Sequence, residues 1–235
     1  NGTAFTQNVA LTSVVVQLPA LVAAAAGEPV NPETVTKTTT ATFTVHEDLP
    51  EAMRTGVFVP GHEYQAWIRF SNGNAALQPD GTKDARGMAI KLMGVPGPKL
   101  LDSPYEKDAL TQDFLMINFP VFFNRNPQEY ENFIRYQADG SKYGYFFQGR
   151  NPLDWKWREV VLGGRLLGRI ANPLYAQYFS MTAFAMGVEP GPWRLPPPYR
   201  HAMKYSAKSC TPPATRAPDP KGDDYLRRNL VEHLA

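Results

Sequence analysis

Between Tyr64 and Leu92 the chain sets two runs of strand-forming residues, Gln65 to Phe70 and Met88 to Leu92, on either side of a long loop rich in Gly, Asn and Asp. Each run carries one cation among apolar neighbours: Arg69 beside Ile68 and Phe70, and Lys91 beside Ile90 and Leu92. A charge on a strand needs a partner or solvent. Lys91 and Arg69 therefore predict either ion pairs across a sheet or, for Arg69, a bidentate grip on a ligand carboxylate inside a cavity. The residues alone leave both readings of Arg69 open.

The rest of the chain narrows the setting. Its 235 residues suffice for one sizeable core. The balance of 24 basic against 22 acidic side chains gives no general electrostatic reason to bind nucleic acid or anionic membrane. The single cysteine, Cys210, excludes an intramolecular disulfide and a cysteine-built metal centre from this chain alone. Twenty-two prolines and thirteen phenylalanines suit a barrel enclosing a flat apolar ligand, and equally a tight aromatic core.

In order, residues 1–27 carry no charged side chain and include the apolar run Val9 to Ala26, read as a helix packed on the body or a partner, with membrane contact as the second reading. Glu28 to Thr40 reads as a polar linker, and Ala41 to Val45 as a strand. His46 and His62 fall in connecting material, where histidines are usually solvated. Thr111 to Phe123 is the longest buried-strand signal, because its apolar residues are nearly continuous. Asn118 interrupts it, as a structural pin or as a donor to a ligand.

Asn126-Pro127-Gln128-Glu129 is a helix start, with Tyr130, Phe133, Ile134 and Ala138 expected on its buried face. Asn151-Pro152 repeats that signal before a helix whose Trp155, Val161, Leu162 and Leu166 read as core contacts and whose Lys156, Arg158 and Arg165 read as a solvated face. Thr211 to Lys221 is a Pro-rich linker, and Leu226, Leu230 and Leu234 line one face of a last helix, read as a truncated or processed end.

RFSNG from Arg69, DARGMAIKL from Asp84 and INFPVFFNRNP from Ile117 occur in an order that resembles the catalase superfamily, and in particular its short catalase-related haem proteins. The resemblance runs from about Ala41 to Cys210. It implies an α+β fold, an antiparallel catalase-like β-barrel with appended helices. The domain division follows: residues 1–40 as an apolar segment and linker arm, 41–210 as the barrel core, and 211–235 as a linker and helix start.

The resemblance also implies haem b inside the barrel and a hydroperoxide substrate, organic, lipid or hydrogen peroxide. By motif, Asn118 matches the distal Asn that donates to the peroxide and Ser71 the Ser that orients a distal His. Arg69 matches an Arg that pairs with a haem propionate, and Phe123 an aromatic residue near the porphyrin.

Two family residues have no counterpart. The distal His would fall near Pro32, where there is none, and its loss removes a proton shuttle worth about 10²- to 10⁴-fold. No segment carries the family's proximal Tyr motif, and Tyr225 lacks the Arg that precedes it by one turn, so the iron ligand is unassigned. If the enzyme is complete, that Tyr comes from sequence beyond Ala235 or from another chain. Two functions are thus expected: haem-dependent oxidoreductase chemistry on hydroperoxides, or a degenerate barrel without haem that serves as a structural or binding subunit, alone, as a homo-oligomer or with a partner chain.

Overall fold

The computed structural model describes residues 15–17, 37–74, 78–97, 99, 109–141, 143–185, 202–210 and 222–234. Its centre is an antiparallel sheet of β1 (Val15–Gln17), β2 (Lys37–Thr44), β3 (Glu63–Asn72), β4 (Arg86–Met93), β5 (Thr111–Ile117), β6 (Tyr178–Ser180) and β9 (Ser206–Ala207), in that spatial order. A separate two-residue pair joins β7 (Phe184–Ala185) to β8 (Ala202–Met203). The sheet curls as a half-barrel, and among the described residues β1 and β9 are its edge strands, each paired on one side.

Strict alternation sets the core. Along β3, Tyr64, Ala66, Ile68 and Phe70 are buried while Glu63, Gln65, Trp67 and Arg69 are exposed. The register aligns the buried set with Ala41 and Phe43 of β2, Ile90 and Leu92 of β4, and Phe114 and Met116 of β5. Tyr178 of β6 and Leu230 of α3 (Tyr225–Leu234) complete this cluster. The inner face is therefore filled by side chains. Phe43 stacks on Phe114 with ring centroids 5.9 Å apart, an arrangement worth about 0.5–1.5 kcal/mol beyond area burial.

Several sequence expectations need correction. β2 begins at Lys37, inside the stretch expected to be linker, because the Thr run is β-branched and pairs residue by residue with β3. Val15–Gln17, expected within a helix, is a strand on β2; the remainder of residues 1–27 lies outside the described residues, as do Thr211 to Lys221. β5 ends at Ile117 and is half-buried rather than buried on both faces, with Leu115 50% exposed.

Of the residues expected to bury α1 (Pro127–Ala138), Tyr130 and Ile134 are exposed, and Phe133 alone joins a cluster. In α2 (Trp157–Leu166), Leu162 and Leu166 pack inward as expected, but Val161 points to solvent. The second Asn-Pro start makes only the 3-10 turn Pro152–Asp154, and α2 begins five residues later than its Pro.

Candidate functional site

The motif residues converge on the outer, exposed face of the sheet and at the end of β5. The register puts Ser71, Gly87 and Ile117 in one row and Arg69, Ala89 and Leu115 in the next but one on the same face. Gly87 matters here, because a Cβ at that position would stand 2.5 Å from Ser71 Oγ. Glycine leaves room for the serine hydroxyl over the neighbouring strand without a shift of its rotamer. Ser71 Oγ makes no hydrogen bond with the described residues.

Arg69 is exposed and forms no ion pair or hydrogen bond with the described residues, whereas Lys91 meets Asp113 across the β4–β5 ladder at 2.9 Å. Among the described residues Arg69 stands on an open surface beside Trp67, Ala89 and Leu115, while its chain neighbours Ile68 and Phe70 face the packed interior.

Asn118 sits one residue past β5. Its backbone N donates to Arg86 O at 2.9 Å, its Oδ1 accepts from Arg86 N at 2.7 Å, and its Nδ2 makes a long 3.4 Å contact with Leu166 O. The amide therefore closes the end of the β4–β5 ladder. One of its two Nδ2 protons is left over.

Phe123 is buried in a second cluster with Tyr145 and Leu166, against which Ala85 and Ile117 of the outer face pack. Its ring is 4.9 Å from Phe133 and 5.1 Å from Phe122. This cluster covers one end of the outer face, so Arg69, Ser71 and Phe123 lie on the same side of the sheet, with Asn118 at the junction.

Sequence reasoning passed over the buried polar frame beneath these residues. Arg86, only 2% exposed, donates from Nη1 to Asn72 Oδ1 and from Nη2 to the carbonyls of Asp80 and Thr82 at 3.0 and 3.1 Å. Asp84, 5% exposed, accepts from the backbone N of Gly73 and Asn74 and from Gln78 Nε2. Both belong to DARG, and their burial shows that half of this motif holds the β3–β4 connection in shape. Their charge next to a loop of Gly and Asn was the available signal.

Does the chain fit haem? The inner cleft beside Arg86, lined by Phe70, Asn72, Tyr178 and Leu226, has room for about one water molecule, at about 10 Å³. The outer face is open: Trp67, Ala89 and Leu115 offer apolar surface there, and the Arg69 guanidinium has no partner among the described residues.

The iron is a different matter. His62 packs on the Tyr64 ring, His46 lies 3.7 Å from Asp48, and His233 packs on Tyr175, all away from Ser71's row. Tyr225, 2% exposed, donates to Ile170 O at 2.8 Å and lies 3.2 Å from Asp80 O. Burial pushes its phenol above the ordinary tyrosine range. Tyr178 donates to Pro173 O at 2.9 Å and burial raises it further. Neither phenol is disposed to ligate a metal, and no cluster of three or more His, Cys, Asp or Glu exists among the described residues. The outer face thus has the chemistry to meet a porphyrin's body and carboxylates, apolar surface and an unpaired guanidinium, and the described residues supply no axial ligand there.

No curated protein matches the chain. The catalase family model matches residues 33–145, the stretch that runs from the approach to β2 through Asn118 and Phe123 to Tyr145. Over this stretch the chain is similar to the catalase family.

Proposed function

We propose that this chain is a catalase-like haem protein acting on hydroperoxides, organic or lipid hydroperoxides among them, with the porphyrin laid on the outer face of β3–β5. The observation that carries the reading is the pairing of a free guanidinium and an unbonded hydroxyl, Arg69 and Ser71, on one face of a catalase-like sheet. In this reading Arg69 holds a propionate, Ser71 orients a distal polar group, the spare Nδ2 proton of Asn118 donates to the substrate oxygen, and Phe123 closes the apolar end. Bound haem would supply the oxidation and reduction at the peroxide bond. Its axial ligand comes from outside the described residues, and the barrel closure and the division at residues 40 and 210 are part of the same proposal.

Turnover of an organic hydroperoxide by a haem-loaded preparation tests the reading. Asn118→Ala lowers the rate by about 10²-fold if its amide donates to the substrate. An unchanged rate in a folded variant rejects that role.

One observation favours a second reading. The Asn118 amide is already engaged with Arg86 N and Leu166 O, as a structural pin would be. A barrel that keeps Asn118 for its ladder and has lost its iron ligands would be a binding or structural subunit without haem. Its mark would be full stability with no saturable haem uptake.

A further inference from the structure

Large apolar side chains are exposed together at one place far along the chain from the motifs. Leu153 is 89% exposed, Trp157 50% and Val161 51%. Four-residue spacing stacks Trp157 and Val161 on one side of α2. Trp157 Nε1 donates to Pro152 O at 2.9 Å, which sets the indole beside the Leu153 turn, and the half-exposed Phe147 ring is 6.3 Å from it. The opposite side of α2 is spoken for: Leu166 and Glu159 are buried there, the latter 3.2 Å from Arg158 Nη1 and 3.4 Å from Arg125 Nε. These exposed residues have no neighbour to cover them among the described residues.

Charge says what kind of partner they meet. From Phe147 to Arg165 the chain has four basic residues, Arg150, Lys156, Arg158 and Arg165, against two acidic ones, Asp154 and Glu159. This short stretch accounts for as much excess positive charge as the whole chain, and Glu159 is withdrawn from the surface. Arg150 and Arg165 are exposed at its two ends and make no ion pair with the described residues.

An open cleft of about 270 Å³ adjoins the stretch, lined by Arg125, Lys156, Arg158, Trp155 and Trp157 together with Glu129 and Glu159, the last of which pairs with both arginines. Lys156 Nζ has no carboxylate partner there and rests 4.5 Å above the Tyr145 ring. Projecting Leu, Trp and Val flanked by exposed arginines is the pattern of an interfacial surface.

We propose that the face formed by the Leu153 turn and the outer side of α2 docks on an anionic lipid bilayer. Leu153, Trp157 and Val161 enter the headgroup boundary, and Arg150 and Arg165 meet lipid phosphates. No described helix is long and apolar enough to cross a membrane, so the contact is with the surface. This surface is separate from Arg69 and Ser71, and the proposal stands whether or not haem binds.

The test uses the full chain with vesicles of phosphatidylcholine alone and of phosphatidylcholine with a quarter phosphatidylglycerol. An environment-sensitive fluorophore is placed on the thiol of Leu153→Cys in a Cys210→Ser background. The expected result is a blue shift of the probe with the anionic vesicles only. Partitioning, measured by flotation, falls about tenfold or more with Leu153→Asp, about fivefold for each of Arg150→Gln and Arg165→Gln, and further as salt is raised.

Vesicle binding without a probe shift, or unaffected by Leu153→Asp, would mean that another part of the chain makes the contact and would overturn the proposal. So would no binding at all, or sedimentation showing that Leu153→Asp dissociates a dimer of this chain, since a second copy would then cover the face.

Discussion

Arg86 and Asn118 are bonded twice, Asn118 N to Arg86 O at 2.9 Å and Arg86 N to Asn118 Oδ1 at 2.7 Å. The side-chain oxygen takes the place of the next carbonyl in the β4–β5 ladder and lets β5 stop there. The same residue is the candidate donor to a substrate. Its oxygen serves the fold and its nitrogen is the part that remains for chemistry.

That division predicts different outcomes for two substitutions. Asn118→Ala removes the acceptor of a largely buried Arg86 N–H and costs about 1–3 kcal/mol. Asn118→Asp keeps the acceptor for Arg86 N but puts a carboxylate oxygen, with its charge, opposite Leu166 O. Urea unfolding at a pH low enough to protonate that carboxyl should therefore separate the two variants, with Asp above Ala.

Gly87→Ala drives a Cβ to within 2.5 Å of Ser71 Oγ and should destabilise the chain by about 1–3 kcal/mol. Ser71→Ala removes the atom in the way, leaving Ser71 Cβ 3.9 Å off. A double-mutant cycle should then show that the second substitution rescues much of the first, a coupling that independent sites do not give.

Tyr225→Phe deletes a hydroxyl bonded to the Ile170 and Asp80 carbonyls and should cost about 0.5–1.5 kcal/mol. In a haem-loaded preparation the absorption spectrum should be unchanged, because this phenol does not hold iron. A spectral change would reassign Tyr225 as the ligand.

Burial raises the phenols of Tyr64, Tyr145, Tyr178, Tyr205 and Tyr225, with Tyr178 raised furthest. Above about pH 10 the unfolded chain loses tyrosine protons that the folded chain keeps, so the unfolded state binds fewer protons and stability falls as pH rises. Below that range these groups contribute no slope. Denaturant midpoints measured from pH 8 to pH 11 should be flat and then decline, and Tyr178→Phe should make the decline shallower.

How much was legible follows the physics of each element. The β3–β4 pairing could be read because alternation and β-branched residues act locally, and Lys91 did find an acid, Asp113, across the ladder. The Asn126 cap was equally local: its Oδ1 accepts from Glu129 N at 2.8 Å.

Other features were not local. Val161 looks like a core residue in sequence and is exposed because α2 turns Leu162 and Leu166 inward instead. The Thr run of β2 looked polar because its partner strand was not in view. Arg69's open setting depends on which face of the sheet Phe43, Phe114 and Tyr178 fill, a property of the packed whole.

The most direct test of a haem-binding outer face is a titration of the purified chain with haem, followed by its absorption spectrum. The account predicts a Soret change that saturates at one haem per chain, weakens clearly with Arg69→Glu and is indifferent to Tyr225→Phe. Haem uptake that never saturates, or that ignores the charge at Arg69, would contradict it and leave the binding-subunit reading in its place.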